Sequence, residues 1–153
     1  MKGRNSLKML CKEIIDTTTP AETITKITHW LNCQPYTYSS LGVAAFGPLC
    51  LDKSSDDYGC VTSTPKLAWQ NSPILKLIMM GLLKEKMAKD FRVAFDTDCN
   101  ILAKFELENG GHGNISDNIA YITVGTGVGV GFVVNGKGIH GMIHPEGGHV
   151  SVP

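Results

Sequence analysis

The pattern of apolar and polar residues along the chain predicts helices and strands in alternation. Short apolar runs bounded by turn residues predict strands at residues 41–46, 91–95 and 119–124. Apolar residues at helical spacing predict helices at residues 20–31, 72 to about 89, and 100 to about 107. This alternation is typical of an α/β domain.

The first helix carries a sequence signal for its start. Thr19 stands at the N-cap position, Pro20 at the first helical position, and Glu22 where a capping box has its carboxylate. These three residues predict a helix that begins at Pro20.

Glycines at alternate positions follow the strand at 119–124: Gly125, Gly127, Gly129 and Gly131. Glycine permits a tight turn and lets backbone N–H groups approach an anion without a Cβ in the way. Thr126 adds a hydroxyl among them. The stretch predicts a phosphate cradle, and a glycine-rich hairpin that binds no ligand is the alternative.

The residues after these glycines exclude two other kinds of phosphate site. Residues 132–134 and the Asn135-Gly136 turn signal predict a second strand, whereas a dinucleotide-binding fingerprint would open a helix here. The GxxxxGK[ST] pattern of a P-loop is absent from the sequence.

Two carboxylates, Asp96 and Asp98, stand at the carboxyl end of the strand at 91–95, where α/β folds place their ligands. In an extended segment they point to opposite sides, so they need not act as a pair. One of them, facing a cleft, could accept a proton from a substrate hydroxyl during phosphate transfer. The alternative is that Asp96 or Asp98 caps the following helix.

A third group of polar residues is His144, Glu146 and His149. Two histidines with a carboxylate between them could bind a metal, but a spacing of five is wrong for one face of a helix. The alternative is a turn with a capping glutamate and a surface histidine, and we expect no complete metal site within the chain.

Composition narrows the function classes. The 153 residues are 42% hydrophobic and 18% charged with a formal net charge of zero, so we expect a globular protein that binds no nucleic acid. The most apolar window, residues 74–83, is too short to span a bilayer. We therefore expect a cytoplasmic protein without membrane contact.

The odd count of five cysteines indicates no disulfide framework, and we expect most of them to be small buried hydrophobes.

Seven short motifs in the same order together resemble the bacterial-type fructokinases of the ROK family (repressor, open reading frame, kinase), within the hexokinase and actin-like superfamily. The motifs are Thr-Thr-Pro-x-Glu-Thr (18–23), Phe-Gly-Pro (46–48), Thr-Ser-Thr-Pro-Lys (62–66), Phe-Asp-Thr-Asp-x-Asn (95–100), Tyr-Ile-Thr-Val-Gly-Thr-Gly-x-Gly (121–129), Val-Asn-Gly-Lys (134–137) and His-Pro-Glu-x-Gly-His (144–149). The resemblance implies an α/β fold of the actin-like ATPase (ribonuclease H-like) type. It also implies ATP-dependent phosphorylation of fructose, or a related hexose, at the 6-hydroxyl.

The resemblance assigns roles residue by residue. Asp98 is similar to the family's catalytic base, and Asn100 and Glu146 to its sugar-binding residues. Gly125, Thr126 and Gly127 match the second phosphate-binding motif for ATP. Magnesium would accompany ATP, and His149 matches the first ligand of a structural zinc site. A homodimer is also expected, because the family often forms dimers.

The departures from the family pattern concern both ends. Nothing in residues 1–16 matches the first phosphate clamp, and the remaining zinc ligands and the adenosine-binding motif would follow His149. We therefore expect an incomplete fold, with an N-terminal lobe at 1–113 and the start of the ATP-binding lobe at 114–153. Weak or absent kinase activity is expected for this chain. The alternatives are a non-catalytic remnant of a kinase and a sugar-responsive regulator.

Overall fold

The computed structural model describes residues 8–110, 116–125, 127–140 and 146–149. The expected lobe boundary at residue 113 lies outside these residues, and so do Thr126 and His144.

Helices and strands alternate as predicted in the first two thirds of the chain, which confirms the α/β class. The elements are α1 (Pro20–Cys33), β1 (Tyr38–Ala45), α2 (Ile74–Gly81), β2 (Met87–Thr97), α3 (Asp98–Asn109), β3 (Ile119–Val124), β4 (Val128–Val134) and β5 (Lys137–Gly138), with 3₁₀ turns at Leu67–Trp69, Lys84–Lys86 and Gly147–His149. Strands β1 and β2 pair in parallel, and β3, β4 and β5 form an antiparallel sheet in that order. Among the described residues, no helix has the length and apolar character needed to cross a membrane.

Helix α1 begins where the sequence predicts. The Thr19 hydroxyl accepts the Glu22 N–H at 3.3 Å, and Pro20 occupies the first turn. The Glu22 carboxylate accepts a hydrogen bond from the Thr18 hydroxyl at 2.7 Å. The Thr18 carbonyl accepts the indole N–H of Trp69 at 2.8 Å, which ties the start of the helix to the core.

Helix α2 ends at Gly81, so the prediction that it continues to about Lys89 is wrong. The Asn32 side chain of α1 causes an early end, because its amide donates to the Gly81 carbonyl at 2.9 Å and accepts the Leu83 N–H at 3.0 Å. A Cβ on Gly81 would lie 2.8 Å from the Thr28 side chain, so glycine is what lets the two helices approach. After α2 the chain makes the 3₁₀ turn at Lys84–Lys86 and continues into β2.

Two hydrophobic clusters form the core. The larger one joins α1, α2, β2 and the connection between β1 and α2, through Ile24, Leu49, Val61, Trp69, Ile74, Leu75, Ile78 and Phe95. The smaller one packs α3 against the β3–β4 hairpin, through Ala103, Leu107 and Val133 with Ile119 and Tyr121 beside them. Helix α3 follows β2 without a linker, so it connects the parallel strands to the antiparallel sheet.

The second strand predicted after the glycines is present as β4. Strands β4 and β5 are joined by Asn135 and Gly136, which have φ angles of 52° and 72°. Positive φ at both central residues is the requirement of a type I′ turn, which the Asn-Gly pair meets at little cost. No helix follows the glycines here, so the exclusion of the dinucleotide fingerprint is confirmed.

Candidate active site

A cleft of about 420 Å³ opens beside the N-terminus of α3. Four of the residues proposed from sequence line it: Asp98, Gly127, Glu146 and His149. These residues come from three separate motifs, so the fold brings together what the sequence keeps far apart. A slightly larger cavity of about 460 Å³ lies between residues 13–16 and α1, and none of the proposed site residues lines it.

Asp98 is exposed and is the first residue of α3. The residue that caps this helix is Thr97, whose hydroxyl accepts the Asn100 N–H at 3.2 Å. The alternative interpretation of Asp96 or Asp98 as the cap is therefore wrong. The Asp98 carboxylate accepts the Cys99 N–H at 2.8 Å and faces the cleft at the positive end of the helix dipole, which favours a negative charge there.

Asp96 is not among the residues that line the cleft. Its Oδ1 accepts the Thr97 N–H at 2.7 Å, and its Oδ2 lies 3.1 Å from Nε2 of His140. The two carboxylates thus have separate surroundings, as their spacing in the sequence indicates. The contact with His140 links the end of β2 to the segment after β5.

Asn100 lies behind the cleft wall and is 2% exposed. Its Nδ2 lies 3.3 Å from Asp96 Oδ1 and 3.4 Å from the Ile139 carbonyl oxygen, and its Oδ1 accepts the Phe132 N–H at 3.3 Å. The amide therefore holds α3 against β4, and Asn100 does not line the cleft.

The glycines of the alternating stretch divide into two pairs. A Cβ on Gly129 would lie 2.6 Å from the Cys99 sulfur, and one on Gly131 would overlap the Cys99 carbonyl oxygen. These two glycines allow β4 to approach the start of α3. The sequence gives no signal that separates this packing role from phosphate binding.

The other pair, Gly125 and Gly127, faces open space, since a Cβ on either would meet none of the described residues within 4 Å. Gly127 lines the cleft, whereas Gly125 does not and donates its N–H to the Gly127 carbonyl at 2.9 Å. Open glycine backbone at a turn is what an approaching phosphate needs. Thr126 lies between them, outside the described residues.

Glu146 has a φ angle of 47°, an uncommon conformation for a residue with a side chain. A Cβ on Gly47 would lie 3.4 Å from Glu146 Oε1, so this carboxylate lies directly against Gly47. The turn after it packs flat on β4, because a Cβ on Gly148 would overlap the Val128 carbonyl oxygen. Backbone held in a sparsely populated region is typical of functional sites.

His149 lies one turn after Glu146. Its Nδ1 is 3.5 Å from Glu146 Oε2, and its side chain is 77% exposed. Within the part of the chain that the structure describes, no group of three or more His, Cys, Asp and Glu residues could hold a metal ion. The described residues therefore do not form the zinc site that the resemblance implies.

Burial first, and then the neighbouring Asp98 charge, raise the pKa of the Cys99 thiol to about 11. The Cys99 side chain, which lines the cleft beside Asp98, is thus a neutral thiol at physiological pH. Of the five cysteines, Cys60 and Cys99 are buried, Cys50 is half-buried, and Cys11 and Cys33 are exposed, so the prediction that most are buried is wrong.

Phe46 and Gly47 belong to the Phe-Gly-Pro motif, and the sequence assigns neither of them a role. Both line the cleft. The Phe46 ring makes an edge-to-face contact with Trp69 at 5.3 Å, and Lys66 Nζ lies 4.0 Å from its centroid. The signals in the sequence are the Gly47-Pro48 pair after the strand and the place of Phe-Gly-Pro among the family motifs.

Comparison with known proteins decides the family. The model for the ROK family matches residues 3–153. The chain belongs to the ROK family. Two curated relatives are fructokinases: that of Zymomonas mobilis subsp. mobilis is 40% identical over 93% of this chain and 46% of its own length. The fructokinase of Lactococcus lactis subsp. cremoris is 41% identical over 87% of this chain and 41% of its own length.

The chain therefore spans about half the length of the curated relatives that it matches. Among solved structures, it is similar to a ROK family glucokinase from Streptomyces griseus, in complex with glucose and AMPPNP, with a TM-score of 0.66. That match has 22% identity and covers 88% of this chain and 40% of the glucokinase. It confirms the expected actin-like ATPase fold, of which this chain supplies a part.

Proposed function

We propose that this chain carries the hexose-binding part of an ATP-dependent sugar kinase, with fructose as the first candidate substrate. The observation that carries the proposal is the cleft that joins Asp98, Gly127 and Glu146. The identity of 40–41% to two fructokinases supports fructose as the sugar. The second substrate is ATP as its magnesium complex.

In the proposed reaction the Asp98 carboxylate accepts the proton of the sugar 6-hydroxyl as its oxygen attacks the γ-phosphorus of ATP. The new O–P bond forms while the bond from the γ-phosphorus to the bridging oxygen breaks, and ADP leaves with that electron pair. A positioned general base of this kind contributes about 10²–10⁴-fold to the rate.

The remaining residues of the cleft bind and orient the substrates. Glu146 accepts hydrogen bonds from sugar hydroxyls at the side of the cleft where it lies against Gly47, and Gly125 and Gly127 leave room for the phosphates. For Asn100 we propose a positioning role in place of a sugar contact, because its amide is already bound to Asp96, Ile139 and Phe132. Transfer of phosphate depends mainly on such positioning and on charge stabilisation.

Binding and transfer are tested separately. Calorimetric titration of the chain with fructose should show saturable binding that Glu146→Gln weakens and Asp98→Asn retains. Fructose 6-phosphate formed with ATP over a long incubation, measured by mass spectrometry, should fall by about 10²–10⁴-fold in Asp98→Asn. Asp90→Asn is the control, because Asp90 is an exposed aspartate of β2 away from the cleft. Absence of binding to fructose, mannose and glucose alike would overturn the proposal.

A further inference from the structure

Cys50 and Cys60 lie opposite each other in a short antiparallel pairing. The neighbouring residues Leu49 and Val61 form a β-bridge. The Cys50 N–H donates to the Cys60 carbonyl at 2.9 Å, and the Gly59 N–H donates to the Cys50 carbonyl at 3.1 Å. The backbone therefore places Cys50 against Gly59 and Cys60 together.

The extra residue in this pairing is Gly59. Its φ of 90° and the bond from the Cys60 N–H to the Asp57 carbonyl at 3.0 Å are those of a tight turn followed by a glycine bulge. Such a bulge leaves the residue after the glycine opposite the partner strand. Cys60 is thus the cross-strand neighbour of Cys50.

The two thiols are on the same side of the pairing. Leu49 and Val61 are 4% and 0% exposed and point into the core. Because side chains alternate along a strand, the next residues, Cys50 and Cys60, share the opposite face. Burial raises the pKa of the Cys60 thiol, with the Asp57 and Cys50 charges adding to the rise, which agrees with their proximity.

The expected Cβ–Cβ distance between Cys50 and Cys60 is close to that of a disulfide, so a small movement allows the bond to form. Directly opposed residues have Cβ atoms about 4.5–5.5 Å apart, and a disulfide needs about 3.5–4.5 Å. An approach of about 1 Å is therefore enough. Cys50 is half-buried and can meet a reagent from solvent, whereas Cys60 is buried behind it.

We propose that Cys50 and Cys60 form a redox modification site that closes into an intramolecular disulfide when the chain meets a small-molecule disulfide. The Cys50 thiolate attacks one sulfur of the oxidant and releases its first thiol. The Cys60 thiolate then attacks the Cys50 sulfur of the mixed disulfide and releases the second thiol. The two cysteines lose two protons and two electrons, and the oxidant is reduced to two thiols.

The disulfide would reinforce one wall of the cleft. The Pro48 carbonyl already accepts the Thr62 N–H at 2.8 Å and the Thr62 hydroxyl at 3.1 Å, so the two segments are joined by hydrogen bonds. The segment before Pro48 carries Phe46 and Gly47, which line the cleft. A covalent link at residues 50 and 60 ties this wall to the segment at 61–64.

The test is peptide mapping of a Cys11→Ser/Cys33→Ser chain, because these two cysteines are exposed and would react elsewhere. The folded protein is treated with oxidised glutathione in mildly alkaline buffer, alkylated, unfolded and digested with trypsin. Cleavage after Lys53 puts Cys50 in the peptide 27–53 and Cys60 in the peptide 54–66. We expect the two peptides to be found joined, and separate again after reduction.

Two matched variants and one internal control make the result specific. Cys50→Ser and Cys60→Ser, each in the same background, should give no joined peptide and differ little from the wild type in circular dichroism. Cys99, in the peptide 93–104, should remain unpaired under the same treatment. Glutathione adducts without a joined peptide, or a joined peptide that contains Cys99, would overturn the proposal. The oxidised protein should also melt several degrees above the reduced one.

Discussion

The Oδ1 atom of Asn100 accepts the Phe132 N–H at 3.3 Å, and this bond joins the first turn of α3 to the middle of β4. The same amide lies within hydrogen-bonding distance of Asp96 and the Ile139 carbonyl. A single buried side chain therefore connects the strand that precedes Asp98 with the sheet that carries the glycines.

Asn100→Ala should destabilise the chain by about 1–3 kcal/mol, because it leaves the half-buried Phe132 N–H without its Asn100 partner. Urea unfolding followed by circular dichroism measures the change. Asn109→Ala is the matched control, since Asn109 is exposed at the end of the same helix and its side chain donates to the Phe105 carbonyl of that helix. A loss in Asn100→Ala no larger than in this control would contradict the structural role.

Gly131→Ala and Gly127→Ala should distinguish the packing role of one pair of glycines from the phosphate-binding role of the other. The Cβ added at Gly131 would overlap the Cys99 carbonyl oxygen, so stability should fall by at least about 1–3 kcal/mol. The Cβ added at Gly127 meets no atom of the described part of the chain within 4 Å, so stability should change little. Gly127→Ala should instead weaken ATP binding in a calorimetric titration. Equal destabilisation by the two substitutions would argue against the packing role of Gly131.

Asn32→Ala should shorten or loosen the end of α2. Its amide is bonded to the Gly81 carbonyl and the Leu83 N–H, so the loss should be about 1–2 kcal/mol. Hydrogen exchange at residues 82 and 83, measured by NMR, should become faster. Lys26→Ala, an exposed position on the same helix, serves as the control. Unchanged exchange at these residues would refute the capping by Asn32.

Stability should fall as the pH rises from about 9 to about 11. The pKa of Cys99 is raised from 9.0 to about 11 by burial and the Asp98 charge, so within this range the folded state holds a proton that the unfolded state has lost. The contribution of the protonated Cys99 thiol to the free energy of unfolding is complete below pH 9 and disappears as the pH passes 11. Urea midpoints measured across this range should fall less steeply in Cys99→Ala than in the wild type. Parallel slopes for the two proteins would show that the thiol is not desolvated in the fold.

Local signals in the sequence determined several features of this protein by themselves. Thr19, Pro20 and Glu22 set the start of α1, because a helix start depends on neighbouring residues only. Asn135 and Gly136 set the turn after β4, because few other residues accept positive φ at both positions. Ordered short motifs also indicated the ROK family, which the match over residues 3–153 confirmed.

Contacts between distant parts of the chain decided the end of α2, the roles of the four glycines and the burial of Asn100. The end of α2 depends on Asn32, which lies 49 positions before Gly81, so no local pattern could reveal it. The division of the four glycines depends on where Cys99 meets β4, and the burial of Asn100 depends on Phe132 and Ile139. Sequence patterns report the preferences of neighbours along the chain. Steric fit and hydrogen-bond partners between elements exist only once the chain has folded.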